Sequence, residues 1–425
     1  MNLKSTKKKN QVVTANIFEQ QELLKKAEVI RKNLTAATGH ELETNGKFDK
    51  NAKLSFISDD MLILGCDVGS ETHYLRAIDT RGRELSKSAY SFSNDSEGFQ
   101  SAKEWAVELA AKNDKKQIVL GLEPTGYYWF CLATWMIANG ISVVQVNHYA
   151  VKQTKEVEDN SQLKDETKDP KLIANLVKDG NFGMPYLPEK VYAELRRLSM
   201  FRDQLNEDRI RAFNRMHREM KIYFPEAGGI LEYAKVSVGI KDGADAGKTA
   251  VKWFVQRILE LDVELAIIEN EINQKCREIP HVENILEISR IGENTLSGIL
   301  AEMGDISRFH DVKEIQKLSG LGLVACSSGK HKGENKINHR GRKRLRYWLF
   351  QAAKSVAAYA EEFKQLHVYY TTRKDNPLKK MQPLIVIVCK ILRVIYTILT
   401  KGIKYDPKKM LGDIVRPNQQ ITQAP

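Results

Sequence analysis

The sequence predicts an α/β unit followed by a longer all-α unit. Three observations carry this reading. Apolar runs of strand length alternate with helical stretches between Met61 and Val146; only the helical period continues after Pro188; and a Gly-rich break over 227–247 separates two long amphipathic stretches. With 425 residues, 42% of them hydrophobic, the chain can bury several cores, and its length favours roughly two to four domains.

Residues 1–60 are polar and Lys-rich, with one helix expected over 17–34 before the composition lapses into Gly, Asn, Thr and Asp. They read as a basic extension and linker. MLILGCDV from Met61 is an apolar strand, HYLRAID a second, and the turn TRGRE leads into a third, ELSKSAYSF, giving an antiparallel meander. A helix is expected over 96–112, then the strand QIVLGLE, an apolar helix over 127–138 and the strand ISVVQV. Three strands, helix, strand, helix, strand is the order of a ribonuclease-H-like fold.

After Pro188, Leu198, Phe201, Leu205, Ala212, Met216 and Met220 recur at helical spacing. In the second long helix Ile258, Leu261, Leu265, Ile268 and Ile272 alternate at three and four residues, the period of a coiled-coil seam. Such a hairpin either dimerises or spans between domains, or its two helices pack on each other within the chain. From Pro280 a third unit opens with ILEISRIGENTLSGILAEMGD, which has the form of a helix-hairpin-helix turn, and continues through a Gly-punctuated loop and a basic run into helices. The tail, rich in Pro, Gln and Thr, is expected to be loosely ordered. The expected boundaries are 1–60, 61–188, 189–279, 280–402 and 403–425.

The 66 Lys and Arg outnumber 54 Asp and Glu, for a net charge of +12. The resulting pI of about 9.2 favours a polyanionic partner, because each phosphate neutralised releases counterions. Cys66, Cys131, Cys276, Cys326 and Cys389 show neither CxxC spacing nor paired histidines, so neither zinc nor a disulfide framework is indicated, and a cytoplasmic protein is expected. The basic segment 1–10 lacks a following apolar stretch, and the apolar run 383–399 is broken by Lys390 and Arg393; no export signal or membrane span is expected.

Two constellations carry chemistry. Asp67 closes the first strand in GCDVGSETH and Glu123 the fourth in GLEPTGYYW, strands whose ends are neighbours in the predicted order. A third acidic group lies in DNSQLKDETKDPKLIANLV, with Asp165, Glu166 and Asp169. A strand-ending Asp is also a common turn former, and Asp169 before Pro170 an ordinary helix cap. Together, converging carboxylates repel unless a cation sits between them, and four would suit two magnesium ions acting on a phosphodiester. The second constellation is SSGKHKGENKINHRGRKRLRYW. Ser327 and Ser328, with Cys326 as a rival nucleophile, precede Lys330, Lys332, Lys336, Arg340, Arg342, Lys343, Arg344 and Arg346, and within the run Glu334 alone opposes them. The following Tyr347, Trp348 and Phe350 point to a packed helix with a basic, nucleic-acid-binding start.

GCDVGSETH, GLEPTGYYW, DNSQLKDETKDPKLIANLVKDG, ILAEMGDISRF and SSGKHKGENKINHRGRKRLR, in this order over about residues 61–400, resemble the insertion-sequence-110 family of DEDD transposases. The resemblance implies a RuvC-like N-terminal domain, a coiled-coil connector and a C-terminal transposase domain whose serine attacks DNA while the acids bind magnesium. It also implies a structured bridge RNA that pairs with donor and target DNA, homodimers that assemble into a tetramer, and a nucleoid-associated place in a bacterial or archaeal cytoplasm. By resemblance Asp67, Glu123 and Asp169 take the first, second and fourth acidic positions and Ser328 the nucleophile. The third position, an Asp three residues before the last in the family, is Glu166 here, with Asp165 one place earlier. Arg290 stands where the family's hairpin carries a glycine or proline pair. Two other functions remain open at this point: a RuvC-like nuclease that uses the acids and water alone, and a non-catalytic nucleic-acid-binding protein.

Overall fold

The computed structural model describes residues 21–31, 50–124, 126–158, 169–223, 242–324, 327–328, 331–332, 336–379 and 381–412, which fall into two compact units, 1–187 and 188–425. In the first unit, helices α1 (21–31) and α2 (Lys50–Phe56) precede β1 (Met61–Val68), β2 (Thr72–Ile78), β3 (Tyr90–Ser93), α3 (Ser96–Lys112), β4 (Gln117–Leu122), α4 (Trp129–Ala138), β5 (Ser142–Val146), α5 (His148–Glu158), α6 (Asp169–Lys178) and β6 (Phe182–Gly183).

The strands form one sheet in the order β3-β2-β1-β4-β5-β6. β1, β2 and β3 pair antiparallel, β1, β4 and β5 parallel, and β6 antiparallel to β5. This mixed α/β arrangement is consistent with a ribonuclease-H-like domain. β1 is apolar throughout because both its faces are covered. Leu62, Leu64 and Cys66 pack with α3 and α4 on one face, while Met61 and Ile63 pack with Ile173 and Val177 of α6 on the other. Asp95 caps α3, accepting a 2.7 Å hydrogen bond from the Gly98 amide.

Two details differ from the sequence reading. The third strand begins at Tyr90, because Glu84 makes an isolated bridge to Ile78 and its carboxylate is tied to Arg76 and Lys171. Residues 21–31 and 50–56 also contribute to the fold. Ala27 and Ile30 of α1 are buried in the core beside α3, and Phe56 at the end of α2 packs against the α6 face.

The second unit opens with α7 (Lys190–Tyr223) and α8 (Ala244–Arg277), which pack along each other with Arg209 bound to Asp262. The Tyr223 ring at the end of α7 covers Gly247 near the start of α8, so the two run antiparallel. Of the seam residues, Leu261 and Ile272 are buried inside this unit, which is the intramolecular packing alternative. Then follow α9 (Val282–Leu286), α10 (Glu293–Met303), α11 (Val312–Leu318), β7 (Leu323–Val324), β8 (Ser327–Ser328), β9 (His331–Lys332), β10 (Lys336–Ile337), α12 (Lys343–Tyr359), α13 (Glu361–Thr372) and α14 (Gln382–Lys401). By length and composition α14 could cross a membrane. Here its Ile387, Ile391, Leu392 and Ile395 form the centre of the helical core with Leu349, Val356 and Phe363 of α12 and α13.

Candidate active site

Cys66 pairs with Leu122 across the parallel strands β1 and β4, so the next residue of each chain segment, Asp67 and Glu123, stand side by side at the C-terminal ends of neighbouring strands. Alternation puts both on the face that carries Ile63 and Val119, the face crossed by α6. That crossing is close because β1 and β4 present glycines to it. A Cβ on Gly65 would lie 1.8 Å from the Pro170 carbonyl oxygen and 2.6 Å from the Ala174 amide, and one on Gly121 would lie 2.4 Å from Val177 Cγ2. The first turn of α6 therefore sits directly against β1 two residues below Asp67, and Asp169 is the first residue of that helix. Sequence reasoning did not single out Gly65 or Gly121; a glycine inside a strand is the signal for such a close approach.

Helix α5 brings Lys155 and His148 to this end of the sheet. Lys155 Nζ is 2.7 Å from Asp169 Oδ1, both side chains being about one-quarter exposed, and His148 Nδ1 contacts a carboxylate oxygen of the largely buried Glu123. Neither Lys155 nor His148 stood out in the sequence. Asp165 and Glu166 lie outside the described residues. Among the described residues no three His, Cys, Asp or Glu side chains are grouped closely enough to hold a metal ion. Asp67, Glu123 and Asp169 are the carboxylates on this face that could contribute to one, and all offer the hard oxygen donors that suit a divalent cation.

In the second unit Ser327 and Ser328 form β8, antiparallel to β9 with Ser328 opposite His331. They occupy a short hairpin strand where the sequence pointed to a loop; Cys326, Lys330 and Glu334 lie outside the described residues. Lys332 lies on β9 of this ribbon, and Lys336 on β10 of a second one, antiparallel to β7. The segment after it is fastened by its backbone. The amides of Asn338, His339 and Arg342 donate to the carbonyls of Gly322, Gly320 and Leu318 at 2.8, 3.0 and 2.6 Å. Side chains at 320 or 341 have no room, since a Cβ on Gly341 would stand 2.4 Å from the Gly320 nitrogen.

The basic run divides into two kinds of residue. Arg344 binds Asp203 Oδ2 at 2.6 Å and Glu302 Oε1 at 3.2 Å, Arg346 donates to the Ser319 and His339 carbonyls, and Arg342 donates to the Glu302 carbonyl. These three arginines hold α12 to α7, α10 and the 318–322 loop, so the expectation that Glu334 alone opposes the run is corrected: Asp203 and Glu302 oppose it from distant sequence. Arg340 and Lys343 are exposed. Trp348 packs over Gly298 and under the Arg202 guanidinium, 4.6 Å from the ring centre.

The turn between α9 and α10 passes through Arg290 at φ +72°, a left-handed conformation that favours glycine. Its carbonyl accepts a 3.0 Å hydrogen bond from Ser355 Oγ, and its guanidinium lies 5.0 Å from the centre of the Tyr359 ring. The helix start that follows carries Glu293, paired with Arg277.

Residues 64–225 match a family model described as a transposase, of the DEDD IS110 type, and residues 282–368 match a model described as the transposase IS116/IS110/IS902 family. The pilin gene-inverting protein of Moraxella bovis is 24% identical over 322 residues, covering 75% of this chain and 90% of that protein. The first match covers the strands that carry Asp67 and Glu123 and runs on through α7 of the second unit, the second covers the ribbon that carries Ser328, and on them the chain belongs to the IS110 family of transposases.

Proposed function

We propose that the protein is a DNA recombinase of an insertion sequence that cleaves and exchanges DNA strands with magnesium and a serine nucleophile. The observation that carries this reading is the register that sets Asp67 beside Glu123, with α6 and Asp169 drawn against the same face by Gly65. In this reading 61–188 is a RuvC-like catalytic domain, 189–279 a helical connector and 280–402 a transposase domain. Asp67, Glu123, Asp169 and either Glu166 or Asp165 would hold the metal, which when bound supplies activation of the attacking oxygen and charge stabilisation at the leaving oxygen. Lys155 balances the negative charge of Asp169, and His148 contacts Glu123. Ser328 attacks phosphorus: its oxygen forms the new ester bond as the bond to the leaving deoxyribose oxygen breaks, which conserves the phosphoester for rejoining.

The relative's name, a protein that inverts a pilin gene, supports rearrangement of DNA as the outcome. Donor and target DNA are the substrates, and a structured bridge RNA supplies sequence specificity through pairing while the protein reads backbone shape. Lys330, Lys332, Lys336, Arg340 and Lys343 are the cations of the basic run assigned to nucleic acid. Homodimers that assemble into a tetramer fit the exposed Leu259, Val263 and Ile267, one apolar stripe along α8.

The test is a denaturing gel with purified protein, its flanking RNA, magnesium and end-labelled donor and target DNA. A protein-linked DNA species lost with Ser328→Ala and retained with Ser327→Ala is the expected result. Free cleaved ends that survive both substitutions would make the protein a water-using nuclease instead.

A further inference from the structure

Beyond the acids, the same end of the sheet holds an open cleft of about 780 Å³, within the range of small-molecule sites. It lies at the C-terminal ends of β4 and β5 and along β6, the end at which open α/β sheets bind ligands. Its walls include Lys50 and Lys53 of α2, Asn147, His148, Asn181 and Phe182. Among the described residues that line it there is no carboxylate, and Lys50 and Lys53 give it positive charge. Lys53 Nζ stands 5.9 Å from the centre of the Phe182 ring. Burial pushes the Lys53 ammonium below its usual lysine value. His148 joins the cleft to the acidic site, since it lines the one and contacts Glu123 in the other. The helix that supplies both lysines lies outside the stretch that matches the transposase family, which begins at residue 64.

We propose that this cleft binds the phosphodiester backbone of a polynucleotide strand leading into the acidic site, with Lys50 and Lys53 as its phosphate contacts. The proposal rests on the recombinase reading for the identity of the strand. Phosphates meet the two ammonium groups, and the amides of Asn147 and Asn181 donate to phosphate or sugar oxygens. DNA and guide RNA share this chemistry.

The experiment measures anisotropy of a fluorescent 12-nucleotide DNA strand, and separately an RNA strand of the same sequence, with the full chain in EDTA over a series of salt concentrations. Lys50→Ala/Lys53→Ala is expected to lower affinity and reduce the salt slope by about 1.4, and Lys50→Ala alone by about 0.7, as for phosphates on a single strand. Lys50 is exposed, so the single variant reads the effect even if Lys53→Ala disturbs folding. Lys25→Ala/Lys87→Ala, at two exposed lysines outside the cleft, is the control. A change with DNA alone or RNA alone identifies the strand, and unchanged slopes with both overturn the proposal. Failure of the recombinase reading looks different: the wild type then shows the lysine-dependent slope but forms no protein-linked DNA in the gel assay.

Discussion

The carbonyl oxygen of Pro170 lies where a side chain on Gly65 would begin: a Cβ at position 65 would stand 1.8 Å from it. The obstacle is helix backbone, which cannot rotate aside as a side chain can. Gly65→Ala must push the first turn of α6 off the sheet, and Asp169 moves with it. Overpacking of this kind costs about 1–3 kcal/mol. We expect Gly65→Ala to lower the denaturation midpoint and to abolish strand cleavage even under conditions where it remains folded. Gly121→Ala meets Val177 Cγ2 at 2.4 Å, a group that can change rotamer, and should cost less in both measurements. Equal losses at the two positions would mean that the close approach of α6 does not set the acidic site.

The basic run offers a second separation. Arg344 is held between Asp203 and the largely buried Glu302, so Arg344→Ala leaves a buried carboxylate without its partner. Removing one member of a fully buried pair costs about 3–5 kcal/mol, and the one-third exposure of Arg344 reduces this to roughly 2 kcal/mol. Lys343 is exposed at the first turn of α12. Lys343→Ala should leave the urea midpoint unchanged and reduce the salt slope for duplex DNA by about 0.9. A destabilised Lys343→Ala, or a fully stable Arg344→Ala, would reverse these assignments.

The strands from Met61, Gln117 and Ser142 are apolar runs, and the 96–112 helix begins at Asp95, a capping residue, so their positions follow from local chemistry. Their order then brings Asp67 to Glu123. What could not be read depends on partners far along the chain. Nothing near Arg344 in sequence announces Asp203 or Glu302. Helix α5 offers one buried apolar residue, Val151, too little for a periodic signal, and it is the element that supplies Lys155 and His148. A helix is expected over 17–34, but its docking through Ala27 and Ile30 is a tertiary fact.

Lys155 and a metal ion would compete for the same carboxylate, since Lys155 Nζ holds Asp169 Oδ1 at 2.7 Å. A partly exposed pair of this kind is worth up to about 1 kcal/mol. Lys155→Met removes the competitor while keeping an apolar stem, so manganese should bind up to about fivefold more tightly. Calorimetric titration of the full chain without DNA reads this directly. Weaker binding in the variant would show that Lys155 positions Asp169 for the ion instead of competing with it.

His73 on β2 is wholly buried between the rings of Phe92 and Phe99, with centroid distances of 5.1 and 6.1 Å. Burial lowers its pKa from the ordinary value near 6.5, against a smaller opposing contribution from Asn94. The unfolded chain therefore takes up a proton near pH 6.5 while the folded chain does not. Stability is fully retained above that pH and falls as the pH drops from about 6.5 toward the lowered folded value, by no more than about 1.4 kcal/mol per pH unit. His73→Leu keeps an apolar side chain in the aromatic nest and removes the proton. Urea denaturation at pH 7.5 and 5.5 and constant ionic strength should show a larger loss on acidification for the wild type than for His73→Leu. Parallel losses would place the acid sensitivity of this unit in its carboxylate pairs, such as Asp79 with Arg83, and not in the buried imidazole.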